Sequence, residues 1–502
     1  MTIGPRSRWL IALGLGGLSA TGFAPLHWWP LALIGVAAWM GLVAAAPRLR
    51  SALAIGWWFG LGHFIIGNNW IATAFQYQDA MPAWLGWIAV SLLALYLALF
   101  PAVAAGLAWR WGRDHAARYL LIFAAAWIIA EWLRASLFTG FAWNPLGVIA
   151  LDMAGLAQAA ALIGTYGVSG LVILAAGGLW LVARREWQAG GAALAVVAVV
   201  ALALLPKGDG PAKGPLIRVV QPNIGQQDKW REGFEDQNFA RLASLSGRRS
   251  AEPRLLLWPE AAVPEYLEEG RVEDRRARAR IRRLLGPRDI ILTGGTALEW
   301  GKDGYAAGAR NSLFAMDASG RMLARYDKAH LVPYGEYLPM RPILSAIGLS
   351  RLAPGDLDFW PGPGPKSYAL PGFGTVGVQI CYEIIFSGQV VDPAARPDFI
   401  FNPSNDAWFG PSGPPQHLAQ ARLRAIEEGL PIIRATPTGI SAIIDARGRV
   451  VESLPWRTAG AIDGRLPAAR AATPFSRAGN VFPLLFAGLL ILLVIAHRRI
   501  AR

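Results

Sequence analysis

Across 502 residues the chain has one cysteine, Cys381, and only 16% of its residues carry charge. A lone thiol cannot form an internal disulfide, so Cys381 is present either as a small buried hydrophobe or for its chemistry. No His/Cys/Asp cluster has metal-ligand spacing, so neither a metal nor a cofactor is expected. No internal repeat and no low-complexity tract appears beyond Ala- and Leu-rich stretches. A soluble globular protein carries about 25% charged residues. The shortfall here, with 54% hydrophobic residues and a mean hydropathy of +0.34, points to a membrane.

The apolar residues are concentrated before residue 206. About 20 apolar residues span a bilayer as a helix. Seven runs qualify: roughly 9–24, 28–46, 52–74, 82–109, 119–137, 160–183 and 189–205, with an eighth at 480–496. Arg6 and Arg8 before the first run suit a signal peptide, but the immediate succession of further runs favours an uncleaved anchor. Basic residues follow a rhythm: Arg6/Arg8, Arg48/Arg50, Arg110/Arg113/Arg118, Arg184/Arg185 and Arg498/Arg499/Arg502 fall at alternate connections and both ends. The positive-inside rule then puts both termini in the cytoplasm and residues 206–478 on the opposite face. The expected organisation is a seven-span domain (1–205), an extracytoplasmic domain (206–478), and a final span with a basic tail (479–502).

The net charge of +14 has a mundane origin. Residues 207–477 hold 35 Lys and Arg against 29 Asp and Glu, and the rest of the chain holds 13 against 5. The second excess is mostly the topology signal, so no nucleic-acid partner is expected. Arg275, Arg276, Arg278, Arg280, Arg282 and Arg283 read as a solvated helix face, with contact to anionic lipid headgroups as the alternative. Glu131 and Arg134 have i,i+3 spacing on a membrane helix. Mutual pairing is expected there, with Arg134 snorkelling from the helix end.

The stretch 215–466 is long enough for one large core. Short apolar runs bounded by Gly, Pro, Asn or Asp recur at 216–220, 255–258, 290–293, 312–316, 375–380, 398–402, 432–436 and 441–444. Helical patterns near 234–247, 271–285 and 415–429 lie between them. Strands alternating with helices predict an α/β domain.

Three segments at strand ends carry the groups that covalent acyl transfer needs. Leu255–Glu260 ends a buried strand with a carboxylate, Arg325–Glu336 supplies Lys328 and Glu336, and Val378–Glu383 supplies the thiol. A thiol needs a base or a nearby cation to become a nucleophile. Glu260 is the candidate general base, and Lys328 the stabiliser of the thiolate and of the oxyanion. Glu336 would brace Lys328, and Glu383 would orient the Cys381 loop, with Tyr382 and Tyr334 in the same supporting segments.

In this order and spacing, Trp258-Pro259-Glu260, Tyr326-Asp327-Lys328 with His330-Leu331-Val332-Pro333-Tyr334-Gly335-Glu336, and Cys381-Tyr382-Glu383 resemble the Glu–Lys–Cys triad of the nitrilase superfamily. The segment Asn402–Phe409 is similar to the loop that follows the nucleophile in that superfamily. With flanking membrane spans, the whole chain resembles the apolipoprotein N-acyltransferase family. That resemblance implies eight spans and an αββα sandwich facing the periplasm of a Gram-negative-type bacterium, in its inner membrane. It further implies transfer of a fatty acyl chain from a phospholipid to the N-terminal amine of a diacylglyceryl-cysteine lipoprotein, as the last step of lipoprotein maturation. Trp230 would line the substrate entrance, His330 would pack the lysine loop, and the enzyme would act as a monomer. Two other readings remain open on the residues: a membrane-anchored amide or nitrile hydrolase, and a transporter whose outer domain binds substrate.

Overall fold

The structure is a computed structural model that describes residues 4–500, apart from 79–80, 154, 207–211, 230, 250, 269, 347 and 353–357. Every long apolar run is helical. Among the described residues, five helices are long and apolar enough to cross a membrane: Leu49–Gly67, Leu85–Gly112, Ala116–Ser136, Leu156–Ala183 and Val481–Arg499. Pro5–Ala20, Trp29–Ala44 and Trp187–Ala203 have 16, 16 and 17 residues. At 1.5 Å per residue these three reach about 24–26 Å, short of a bilayer core of about 30 Å. The expectation of eight full-length spans is therefore met by five helices on length, with three shorter ones packed among them.

Small residues allow the close packing. A Cβ on Gly62 would lie 2.0 Å from the carbonyl oxygen of Leu13, so Leu49–Gly67 and Pro5–Ala20 approach backbone to backbone. Glu131 and Arg134 do not pair as their spacing suggests. Glu131 Oε1 accepts from the Leu146 amide (2.7 Å), and Arg134 Nη1 donates to the Trp143 carbonyl (2.8 Å). Arg134 is 2% exposed, so it does not snorkel. Both side chains instead satisfy the turn that follows their own helix.

The last helix before the large domain ends at Ala203, and the first strand begins at Leu216. Twelve strands follow: β1 Leu216–Gln221, β2 Arg254–Leu257, β3 Ile290–Trp300, β4 Ala306–Asp317, β5 Met322–Asp327, β6 Ser367–Leu370, β7 Gly374–Val378, β8 Phe399–Pro403, β9 Ile432–Ala435, β10 Ala442–Ile444, β11 Val450–Ser453 and β12 Gly460–Arg465. They form two six-stranded sheets, ordered β12-β1-β2-β3-β4-β5 and β11-β10-β9-β8-β7-β6. Each has a parallel centre (β1-β2-β3 and β7-β8-β9) with antiparallel neighbours outside it.

Ile217, Val219, Leu255, Leu257 and Leu292 of the first sheet share one core with Val376, Val378, Phe399, Phe401 and Ile433 of the second. Each such side chain contributes roughly 1.5–3 kcal/mol by leaving water. The outer face of the first sheet is covered by helices Glu235–Leu245 and Val272–Arg282. The outer face of the second is covered by helix Gly413–Glu428, whose core continues into the membrane helices. This is an α/β nitrilase-like αββα sandwich, with the membrane helices against one outer layer. The arginine-rich helix Val272–Arg282 lies in the opposite layer. Arg280 pairs there with Asp236 (2.9 Å) and covers the Phe239 ring. Two sheets separate it from the membrane helices, which leaves the solvated face as its place.

Candidate active site

Glu260, Lys328 and Cys381 arrive from three strand ends at one edge of the sandwich. Glu260 sits two residues beyond β2's extension through Trp258, whose amide bonds the Leu292 carbonyl (2.9 Å). The turn at Glu260 lies flat against β3 because Gly294 has no side chain. A Cβ there would stand 2.5 Å from the Ala261 nitrogen and 2.7 Å from the Glu260 Cα. Lys328 follows β5 directly, its amide bonded to the Asn311 carbonyl (2.9 Å). Cys381 follows β7 and opens a single helical turn, Cys381–Ile385, with φ +52°. An L residue rarely adopts that left-handed conformation, and its cost is tolerated where surrounding bonds impose it.

Lys328 Nζ lies 2.9 Å from Glu336 Oε2 and 3.7 Å from Glu260 Oε1, with the lysine 2% exposed. Asn311 Nδ2 joins the two carboxylates, donating to Glu260 Oε1 (2.6 Å) and Glu336 Oε1 (2.8 Å). Glu336 Oε2 also accepts from the Val332 amide (2.8 Å), which closes the loop on itself. Burial alone would depress the Lys328 pKa, but Glu336, Glu260 and Cys381 outweigh it and hold the ammonium charged. Burial pushes the Cys381 thiol well above its ordinary range. Glu260's charge adds to that rise, while Lys328 and the Asn405 backbone amide oppose it. At neutral pH the sulfur is therefore a thiol, which would need a base to take its proton before it could act as a nucleophile. Glu260 Oε2 is buried with no hydrogen-bond partner, free to receive one.

Glu383 ties the lysine loop to the Cys381 turn. Its Oε1 accepts from Tyr326 Oη (2.8 Å), the Ala329 amide (2.8 Å) and the His330 amide (3.2 Å), and its Oε2 from the Ile380 amide (2.7 Å). Burial raises its pKa to about 7. His330 stacks on Phe386 at 3.8 Å between ring centroids, and its Nε2 meets the Thr139 carbonyl at 2.9 Å. Tyr382 packs edge-on against Phe386, behind the sulfur. Tyr334 does not join the site: its side chain is 49% exposed on the outside of the loop. Trp230 lies outside the described residues. Among those described, no group of three His, Cys, Asp or Glu is placed to hold a metal ion.

Several residues of the site carry no signal in the linear pattern. Asn311 is one polar residue in the middle of β4, just before its apolar run. Lys229 donates to the main-chain carbonyl of Glu260 (2.9 Å), and burial pulls its pKa down to about 8 while Glu260 and Cys381 oppose that fall. It lines, with Glu260, Pro222 and Pro259, a small surface cleft. Arg434 within the apolar strand Ile432–Ala435 is the one visible clue, because a buried guanidinium requires a buried anion.

A carboxylate, an ammonium and a thiol at strand ends of an αββα sandwich define a carbon–nitrogen-hydrolase-type domain, here joined to membrane helices. Residues 216–473 match the carbon-nitrogen hydrolase family model, and residues 15–178 that of the apolipoprotein N-acyltransferase N-terminal domain. The chain is 35% identical to an apolipoprotein N-acyltransferase of Rhodopseudomonas palustris, over 98% of this chain and 95% of that one. It is 36% identical to the namesake from Bradyrhizobium diazoefficiens, over 99% and 96%, and 37% identical to that of Brucella melitensis, over 84% and 81%. The chain belongs to the apolipoprotein N-acyltransferase family.

Proposed function

We propose that this acyltransferase moves a fatty acyl chain from a phospholipid to the N-terminal amine of diacylglyceryl-cysteine lipoproteins, through a thioester on Cys381. The observation that carries the reading is the meeting of Glu260, Lys328 and the Cys381 turn in a domain docked on membrane helices. Both substrates hold acyl chains whose removal from the bilayer costs about 0.8 kcal/mol per CH₂, so the site must stand at membrane level.

In the first half-reaction Glu260 takes the thiol proton as the sulfur attacks the ester carbonyl carbon. Lys328 and the Asn405 amide stabilise the oxyanion. The C–O bond breaks, and the departing lysophospholipid oxygen takes the proton back from Glu260. In the second half the lipoprotein α-amine attacks the thioester, Glu260 accepts its proton, and the C–S bond breaks to return the thiolate, which Glu260 reprotonates. Glu336 keeps Lys328 aimed, and Glu383 holds the two loops in register. The cleft beside Lys229 and Glu260 gives one approach to the base.

The five long apolar helices and the three shorter ones alternate across the bacterial inner membrane, both termini are cytoplasmic, and the sandwich is periplasmic. The basic rhythm of the connections supports this orientation. The enzyme acts as a monomer with no cofactor. Mass spectrometry of purified protein mixed with dioleoyl phosphatidylethanolamine tests the proposal. We expect an oleoyl adduct on Cys381, absent in Cys381→Ala and discharged by a diacylated lipopeptide amine. Discharge to free fatty acid with the lipopeptide untouched would make the protein a hydrolase, and no adduct at all would make it a binding protein.

A further inference from the structure

Behind the nucleophile lies a cluster that this chemistry does not use. Asp406, His417 and Arg434 are each 0% exposed. They come from the turn after β8, from helix Gly413–Glu428 and from β9. Arg434 Nη2 is 2.6 Å from Asp406 Oδ2 and 2.9 Å from His417 Nδ1, which also lies 3.0 Å from Asp406 Oδ1. The other ring nitrogen, Nε2, is 3.1 Å from the carbonyl oxygen of Cys381.

An imidazolium would donate from Nδ1 to Asp406 Oδ1, but burial and Arg434 disfavour that form and leave the ring one hydrogen. A carbonyl only accepts, so Nε2 carries the hydrogen; a guanidinium only donates, so Nδ1 offers its lone pair to Arg434. Asp406 and Arg434 balance one another, and a neutral imidazole leaves the cluster without net charge in a place where an unpaired charge is expensive. Burial and Arg434 both disfavour the imidazolium, with Asp406 opposing them.

The Cys381 backbone needs holding, because φ +52° is costly for an L residue. Glu383 fixes the chain ahead of it through the Ile380 amide. The carbonyl of Cys381 itself is held by His417. Asp406 also follows Asn405, whose amide is directed at the sulfur. One cluster thus governs the carbonyl behind the nucleophile and the amide in front of it.

We infer that His417 is a positioning residue: its neutral imidazole, locked by Arg434 and Asp406, clamps the Cys381 carbonyl and holds the left-handed turn that presents the sulfur to Glu260 and Lys328. The clamp is also keyed to the membrane helices. Gln416, beside it, accepts from Trp143 Nε1 (2.8 Å) and donates to the Ala24 carbonyl (3.0 Å), and the Trp143 ring lies 5.4 Å from that of His417. The inference rests on Cys381 being the nucleophile of the proposed reaction.

Two readouts on full-length protein in detergent micelles test it. The first is the single-turnover rate of oleoyl adduct formation from dioleoyl phosphatidylethanolamine. The second is iodoacetamide labelling, which reports Cys381 alone because the chain has no other thiol. A misplaced reacting atom costs on the order of 10²-fold in rate. His417→Leu, which keeps bulk but cannot donate, should lose about that factor at saturating lipid with the half-saturating lipid concentration little changed. His417→Gln, whose amide nitrogen can replace Nε2, should recover most of the loss. A merely structural histidine would not separate the two variants. Equal rates for the His417→Leu variant and the unaltered protein, or a loss confined to lipid affinity, would overturn the inference. If the unaltered protein forms no adduct, the acyl chemistry fails on its own. The clamp is then judged by labelling: it stands if His417→Leu shifts the rate severalfold where His417→Gln does not, and falls if both label alike.

Discussion

Removing Glu383 tests whether one carboxylate joins the lysine loop to the nucleophile turn. Its two oxygens accept four hydrogen bonds, from Tyr326 Oη and the Ile380 amide, which are buried, and from the part-buried amides of Ala329 and His330. An orphaned buried donor costs about 1–3 kcal/mol, so Glu383→Ala stands to lose about 2–6 kcal/mol from Tyr326 and Ile380 alone if no water enters. The upper end of that loss reaches the lower end of a typical domain's stability, about 5–15 kcal/mol. Glu383→Gln keeps one acceptor oxygen but turns an N–H donor toward other donors, at a loss of about 2–4 kcal/mol by the same reasoning.

The charge adds a pH signature. Burial raises the Glu383 pKa from its ordinary 4.5 to about 7, so the folded protein binds this proton more tightly than the unfolded chain does. The contribution is fully present below pH 4.5 and is lost as pH rises through about 7, amounting to about 3 kcal/mol. The proton has a natural seat between Glu383 Oε1 and Tyr326 Oη, where the hydroxyl reverses from donor to acceptor. Urea titrations between pH 4.5 and 8, with iodoacetamide labelling of the otherwise buried Cys381 as the probe, measure both effects. We expect Glu383→Ala to label at nearly the rate of a free thiol, and Glu383→Gln to flatten the slope across this window. Wild-type stability and labelling in Glu383→Ala would refute the account of the site as two loops pinned by one acceptor.

Three further outcomes follow from the same geometry. Lys328→Met leaves Glu260 and Glu336 facing one another without their cation; breaking such a buried pair costs about 3–5 kcal/mol, and adduct formation should fall by at least about 10²-fold. Adding Glu336→Gln to Lys328→Met should return part of the stability, read by urea unfolding, but none of the rate. Asn311→Leu removes the donor shared by Glu260 and Glu336, with an expected loss of about 1.5–3 kcal/mol per bond and slower acylation in single-turnover assays. Because burial and Glu260 hold the Cys381 thiol well above its ordinary range, its labelling rate should still be climbing past pH 9, and Lys328→Met should slow it further. A plateau below pH 8 would show a thiolate already formed at rest.

How much of this was legible in the sequence depended on where a residue stands in the sheets. Eight strands announce themselves as apolar runs, and they are the inner strands: β1 to β4 and β7 to β10. The four that give no such signal, β5, β6, β11 and β12, are the four sheet edges. β11 is exposed along its whole length, so nothing demands an apolar pattern there. The site divides in the same way. Glu260, Lys328, Glu336, Cys381 and Glu383 stand in short segments with a recognisable order. Asn311, Lys229 and His417 reach the site from other elements, and only the folded chain brings them near. The pairing expected from the spacing of Glu131 and Arg134 failed for a related reason. Helical spacing permits that pair, but the Leu146 amide and the Trp143 carbonyl are better partners in a place without water.

Helix Gly413–Glu428 shows why the sandwich and the membrane helices act as one piece. On pattern alone its polar residues belong in water, yet Gln416, Gln420 and Glu427 are 4%, 1% and 0% exposed. Each finds its partner across the boundary. Gln416 bonds Trp143 and Ala24, Gln420 accepts from the Asn144 amide (3.2 Å), and Glu427 accepts from the Thr165 amide and hydroxyl (both 2.7 Å). The Thr165 amide is available because the helix breaks at Gly164, whose φ of +65° interrupts the regular ladder of backbone bonds. A tether would need none of this: one span and a flexible linker keep a domain at a membrane. Buried polar bonds that only a fixed docking can satisfy make separation costly, since every orphaned group would count against it. The same helix carries His417 to the back of Cys381. The position of Cys381 relative to the membrane helices is therefore set by a rigid joint, as the proposed reaction between two lipid-anchored substrates requires.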